Sequence, residues 1–170
     1  MKNSKSLIAY FSRKGSNYVG GSIVNLPIGN TEVIANQIQE LTGSDMFEIK
    51  TVNSYPKDYT ETTNVAQDEL RKNTRPELIE IIDDMDSYDV IYIGYPNWWG
   101  TMPMGVYTFL ESYDFSGKTI IPYCTHEGSG MGSSELDIKK LCPNAKVLSG
   151  LAIKGSNVKS AAGTIKSWLS

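Results

Sequence analysis

Short apolar runs and amphipathic helical stretches alternate along the whole chain, and this alternation constrains the fold more than any other feature. Residues 7–11 (LIAYF) and 90–95 (VIYIGY) are apolar without a polar alternate, the pattern of strands buried on both faces. Residues 46–49, 119–124 (TIIPYC) and 146–153 supply three further strands, with Pro122 arguing for a bulge or a ladder end. Between them, Val33, Ile34, Ile38 and Leu41 share one helical face, and Gly43 follows as the closing residue. Tyr59, Thr63, Ala66 and Leu70 mark a second helix, Val106 to Tyr113 a third, and residues 133–141 a fourth. Val158, Ala161, Ala162, Ile165, Trp168 and Leu169 form the apolar stripe of a last helix. Strand followed by helix five times over predicts α/β: a doubly wound five-stranded parallel sheet between two helical layers, in the order 2-1-3-4-5.

The chain of 170 residues is expected to form one domain over residues 1–170 with a core that needs no staples. A net charge of −3 without any Lys/Arg cluster argues against a nucleic-acid partner. No apolar run approaches the roughly 18 residues of a membrane span, and no signal segment stands at the start, so a cytoplasmic location is expected. Cys124 and Cys142 have no CxxC or zinc-ligand spacing and read as buried thiols.

In sheets of this kind, ligands bind beyond the carboxyl ends of the strands, at the switch in strand order. Three unusual loops follow strands one, three and four, which are neighbours in that order. The first runs through residues 11–32 (FSRKGSNYVGGSIVNLPIGNTE) and offers hydroxyls and backbone N–H groups ahead of a helix. It lacks GxxxxGK[ST] and GxGxxG, which fits a single phosphate better than a triphosphate or a dinucleotide. The second, residues 95–103 (YPNWWGTMP), places adjacent tryptophans at a loop tip, where exposed indole is best explained by a flat ring to cover. The third, residues 125–132 (THEGSGMG), carries Gly128, Gly130 and Gly132, which allow backbone to approach a ligand closely. A monophosphate, a flat ring between aromatics and backbone reading the ring edge together describe FMN.

With residues 16–29 removed, the first loop joins as YFS-RKG-NTEVIA, or S-x-x-G-N-T. In this motif and in YPNWWGTMP and THEGSGMG the chain resembles the flavodoxin-like FMN proteins over essentially its whole length, with Lys14 where the family usually has threonine. The resemblance implies that Ser12, Asn30 and Thr31 hold the phosphate, and that Gly15 or Gly29 is the loop glycine. Trp99, just before Gly100, matches the ring-stacking tryptophan, with Trp98 beneath it or across the ring. Pro96, Asn97, Gly100 and Thr101 would present backbone to the flavin N5 edge, where a carbonyl near Gly100 can turn toward the reduced ring. Thr125, His126, Glu127, Gly128, Ser129 and Gly130 would meet the pyrimidine edge.

The expected activity is flavodoxin-type low-potential electron transfer between a reductase and an acceptor protein, by a monomer or weak homodimer. An FMN-dependent NAD(P)H oxidoreductase acting on quinones is the alternative, with His126 either protonating the acceptor or bonding its own loop. A module that has lost FMN is the third reading. Residues 16–29, apolar through Tyr18, Val19, Ile23, Val24, Leu26 and Ile28, are expected to fold as a hairpin around Gly20-Gly21, against the cleft or a partner chain.

Overall fold

A computed structural model describes residues 5–170 of the chain. In chain order the elements are β1 (Ser6–Tyr10), β2 (Gly15–Val19), β3 (Ser22–Leu26), α1 (Asn30–Thr42), β4 (Asp45–Glu48), α2 (Tyr59–Lys72) and β5 (Val90–Pro96). They continue with α3 (Met104–Glu111), β6 (Thr119–His126), α4 (Ser134–Leu141), β7 (Lys146–Val147), β8 (Leu151–Lys154) and α5 (Ala162–Leu169). The main sheet is parallel in the order β4-β1-β5-β6, and both β7 and β8 pair with β6. With β7 and β8 as two pieces of the fifth strand, this is the 2-1-3-4-5 order expected from the sequence.

Period-two alternation divides the core between the two faces of the sheet. Ile91, Ile93 and Tyr95 of β5 pack with Val106, Phe109 and Leu110 of α3 and Ile138 of α4. Their neighbour Tyr92 joins Ile8 of β1, Ile34 and Ile38 of α1 and Ile165 of α5 on the opposite face. Helix α1 buries Thr31, Ile34, Ala35 and Ile38, at i, i+3, i+4 and i+7 along a single stripe, and ends at Gly43 with φ +70. Asp58 starts α2 by accepting the Glu61 N–H at 2.9 Å. No helix among the described residues is long and apolar enough to cross a membrane.

Two elements depart from the sequence reading. The strand expected over residues 146–153 is split: β7 pairs with Thr119 and Ile120, and β8 pairs only from Tyr123 onward. Pro122 stands at the gap. Leu148 donates to the Ile120 carbonyl, so the missing N–H of Pro122, two residues on, falls on that same side of the ladder. The strand therefore stays paired to β5 through Pro122 and loses its other neighbour there. The last helix begins at Ala162 rather than near Val158, behind a 3₁₀ turn over Gly155–Ser160, whose Val158 carbonyl is taken by Gln37 Nε2 at 2.8 Å. Ser133 makes no side-chain cap at the start of α4; its hydroxyl goes to Asp137 Oδ2 at 2.9 Å.

Candidate cofactor cleft

Residues 16–29 hold an antiparallel hairpin, β2 against β3, that closes through Gly20 (φ +63) and Gly21 (φ +93). Two positive-φ residues in a two-residue loop make a type I′ turn, whose twist matches that of the flanking strands. The hairpin lies along the strand ends of the main sheet without joining it. Tyr18 stacks on Tyr59, with ring centroids 6.2 Å apart, and the Gly20 N–H donates to Glu127 Oε1 at 2.9 Å. Arg13 at its base donates to the Pro56 carbonyl at 3.0 Å, the Lys57 carbonyl at 2.9 Å and the Ser16 carbonyl.

Beneath the hairpin is a cavity of about 160 Å³. Its floor is the amino end of α1, where Gly29 offers no side-chain cap. The Glu32 N–H is taken by Ser12 Oγ at 3.1 Å and the Val33 N–H by the Gly29 carbonyl at 3.1 Å. Among the described residues the N–H groups of Asn30 and Thr31 find no protein acceptor, at the positive end of a 13-residue helix. The side chains of both residues line the cavity, and Thr31 Oγ1 lies 2.9 Å from Thr125 Oγ1. Ser12 and Lys14 do not line it. They border a separate groove of about 820 Å³ beyond the hairpin, with Glu48 and Lys50, because Ser12 Oγ is committed to the helix and β2 carries Lys14 away.

The choice between the two glycines is decided by space. Gly15, the first residue of β2, sits at φ +89, and a Cβ there would meet nothing within 4 Å. At Gly29 a Cβ would lie 2.2 Å from Ser12 Oγ and 2.8 Å from the Arg13 carbonyl oxygen. Gly29 is thus the glycine that lets the two halves of the loop close on the helix.

The second loop is also a type I′ turn: Trp98 and Thr101 pair across Trp99 (φ +57) and Gly100 (φ +89). Trp98, edge-on to Phe11 and Tyr55 at 5.1 Å from each, lines the cavity. Trp99 does not. It stands 51% exposed, with Nε1 donating to the Thr63 carbonyl of α2 at 2.8 Å, and walls a second cavity of about 400 Å³ that shares Arg13, Asn17, Tyr59, Asn97 and Trp98 with the first. Pro96 and Asn97 line the first cavity, and Asn97 fastens the loops together. Its Nδ2 donates to the Gly130 carbonyl at 2.8 Å, and its Oδ1 accepts the Gly100 N–H at 2.9 Å.

Gly100 and Thr101 lie outside the first cavity, contrary to expectation. The Gly100 carbonyl, one of the second-loop carbonyls that could turn toward a ligand, is held by the Ser133 N–H at 2.7 Å. Thr101 is buried, and its hydroxyl donates to Asp137 Oδ2 at 2.5 Å. That carboxylate oxygen also accepts from Tyr107 at 2.8 Å and Ser133 at 2.9 Å, which anchors the turn to α3 and α4.

The third loop brings Thr125, His126, Glu127 and Ser129 to the cavity, while Gly128 (φ +130) and Gly130 (φ +63) shape the bend behind them. His126 Nδ1 accepts the Gly128 N–H at 2.9 Å, and burial lowers the imidazole pKa against the opposing pull of Glu127. Among the described residues the second oxygen of Glu127 is buried without a hydrogen-bond partner. Arg13, Asn17, Tyr18 and Tyr59 also line the cavity and were missed from sequence. The signal for Tyr18 was the hairpin itself: once Gly20-Gly21 is the turn, alternate residues of β2 face the cleft.

The residues present fit FMN. A phosphate finds two open helix N–H groups beside threonine hydroxyls, a ring finds Trp98, and a ligand donor finds the orphan oxygen of Glu127.

No curated protein matches the chain. Among solved structures, a candidate flavoprotein from Bacteroides uniformis is 28% identical, with a TM-score of 0.75 over 97% of this chain and 99% of that one. A candidate flavoprotein from Bacteroides eggerthii is 27% identical, with a TM-score of 0.73 over 96% of this chain and 99% of that one. A flavoprotein from Lactobacillus acidophilus, solved in complex with FMN, shares the fold at 24% identity, with a TM-score of 0.68 over 93% of this chain and 98% of that one. The flavodoxin family description matches residues 5–170, so the chain belongs to the flavodoxin family.

Proposed function

We propose that the chain binds FMN beneath the β2–β3 hairpin and serves as a flavodoxin-type electron carrier between redox proteins. The observation that carries this reading is the amino end of α1, where Asn30 and Thr31 present unused N–H groups and polar side chains to one small cavity. FMN, when bound, supplies the electron chemistry; the protein supplies position and electrostatics. Asn30 and Thr31 take the phosphate, and Trp98 and Tyr18 exclude water around the ring. Glu127, in the wall of a poorly solvated cleft, disfavours added negative charge and so lowers the potential of a bound flavin. The hairpin moves outward to admit the cofactor, against the Tyr18, Gly20 and Arg13 contacts described above.

His126 is poorly placed to supply protons, since burial lowers its imidazole pKa and Nδ1 already accepts from its own loop. That favours a carrier. The second cavity, beside Trp98, favours the other reading, an FMN-dependent NAD(P)H oxidoreductase. Titration of the purified chain with FMN, followed by flavin fluorescence, tests the site: saturable quenching is expected, and a chain that stays colourless with excess FMN refutes it. Anaerobic addition of NADPH to the loaded protein then separates the two activities. No bleaching without a partner reductase means a carrier, and rapid bleaching means an oxidoreductase.

A further inference from the structure

Residues 77–84 run along the outer side of β4 and line neither cavity of the cofactor cleft. The Val52 N–H donates to the Glu77 carbonyl at 2.8 Å and the Ile79 N–H to the Lys50 carbonyl at 2.9 Å, which fixes one end of the segment just past the carboxyl end of β4. At the other end Asp84 and Asp45 share Lys5, at 3.8 and 4.0 Å, so the segment reaches the start of β4. We infer that this flank is the interface of a homodimer, with a second copy of the chain packed against it across a two-fold axis. The inference is independent of what fills the cofactor cleft.

The apolar residues of the flank divide between core and solvent. Thr51 and Leu78 pair across a bridge and turn inward, so Val52 and Ile79, next to them on the two segments, share the outward face. Val52 is 50% exposed, Ile79 56% and Ile81 72%, the last being the most exposed large apolar side chain among the described residues. Ile82 returns to the core with its N–H held by Tyr113 Oη at 2.8 Å, which fixes the ridge that carries Ile81. Single exposed isoleucines are ordinary, but three neighbouring β-branched side chains on one ridge form a patch that a partner covers.

Charge names the partner. Beyond Ile79 lies the groove of about 820 Å³, where exposed Lys14, Lys50 and Lys57 and half-buried Arg13 outnumber Glu32 and Glu48. At the opposite end Asp45, Asp83, Asp84 and Asp86 are exposed, and among the described residues Lys5 is the cation that pairs with them. At the rise of a strand the two ends lie about 17 Å apart, about twice the Debye length at physiological salt, so they act separately. A flank that is basic at one end, apolar in the middle and acidic at the other complements its own copy under a two-fold rotation through the middle. A partner of a single charge would be repelled by one of the two ends.

The test is sedimentation velocity of the full chain from about 1 to about 100 μM, over which dimer is expected to grow by mass action. Raising the salt from about 50 to about 500 mM is expected to weaken it. Ile81→Asn is expected to weaken it at least tenfold, because a two-fold axis uses each side chain twice, whereas Ile23→Asn, on the hairpin, leaves it unchanged. Charge reversal supplies a second arm. Lys14→Glu with Lys57→Glu makes both ends acidic, and Asp83→Lys with Asp86→Lys makes both basic. Each doubly substituted chain is expected to be monomeric, and an equimolar mixture of the two to form a heterodimer, a gain that misfolded chains could not show. A wild-type chain that stays monomeric at about 100 μM overturns the inference and leaves the face to a different protein. A dimer that survives Ile81→Asn, a dimer lost in Ile23→Asn, or a mixture that stays monomeric overturns it as well.

Discussion

Replacing Gly29 by alanine isolates the junction on which the split phosphate loop depends. Gly29 has φ −65 and ψ 152, a conformation alanine adopts freely, so the substitution introduces no backbone strain. All of its cost is steric. The new methyl group would lie 2.2 Å from Ser12 Oγ and 2.8 Å from the Arg13 carbonyl oxygen. Ser12 can rotate away, but only by releasing the Glu32 N–H, a loss of about 1 kcal/mol for a helix-start contact. Arg13 cannot, because its side chain is tied to three carbonyls and its own carbonyl to Asn17 Nδ2 at 2.8 Å. Overpacking against such a backbone adds about 1–3 kcal/mol. The sum, about 3 kcal/mol, lowers Tm by roughly 6–12 °C in a chain of this size. Gly15→Ala is the matched control: left-handed φ costs about 1–2 kcal/mol and no neighbour is struck. Urea denaturation of both variants, with FMN affinity measured alongside, is the assay. Gly29→Ala should be the less stable and should lose FMN affinity, whereas Gly15→Ala should keep it. A Gly29→Ala chain within about 0.5 kcal/mol of wild type would refute the reasoning, since that is the scatter of ordinary surface substitutions.

Asp137→Asn weakens three hydroxyl contacts to one carboxylate oxygen; a loss of about 2 kcal/mol is expected by denaturation, with FMN affinity falling as the Trp98–Thr101 turn loosens. Unchanged stability would mean that the turn is held by its backbone alone. Glu127→Ala removes the acceptor of the Gly20 N–H, so thermolysin should cut the hairpin about tenfold faster, the kinetic equivalent of about 1.4 kcal/mol. Glu127→Gln keeps an oxygen in place and should be cut more slowly than Glu127→Ala. His126 has a lowered pKa, so as pH falls the unfolded chain takes up this proton first. Its contribution to stability is complete above pH ~6.5 and is lost below it. Between pH 8 and pH 5.5 the wild type should therefore lose more stability than His126→Gln, and equal losses would contradict the assignment.

Runs such as VIYIGY announce themselves because a strand covered on both faces has no polar alternate, and the sheet order follows from the crossovers they require. The break at residues 148–150 was half visible, since Pro122 marked a ladder end, but which neighbour it would lose depended on the direction of its absent N–H. Asn30, Thr31 and Thr125 could be placed beside one another because strand ends converge. Ser12 and Lys14 could not be excluded, because their destinations depend on where a hairpin departs, and a local motif records only spacing. Arg13 was overlooked for the same reason: between a serine and a lysine it has no pattern of its own, and its role comes from the Pro56 and Lys57 carbonyls more than forty residues away. Trp99 misled in a different way. Position before glycine matches a ring-stacking tryptophan, but the same Trp-Gly pair closes a type I′ turn and swings the indole toward α2.

The hairpin of residues 16–29 is a ribbon with two free margins. Neither β2 nor β3 joins the main sheet, and isolated two-stranded ribbons are only marginally stable in water. Among the described residues no further strand pairs with its margins, and Ile23 beside them is 57% exposed, a combination that templates strand addition by another chain. While Tyr59 and Glu127 hold the ribbon down, those margins are short and fixed in orientation. A ribbon lifted to admit a ligand loses that restraint and bares both margins together, so strand addition is expected while the ribbon is raised and not while it lies down.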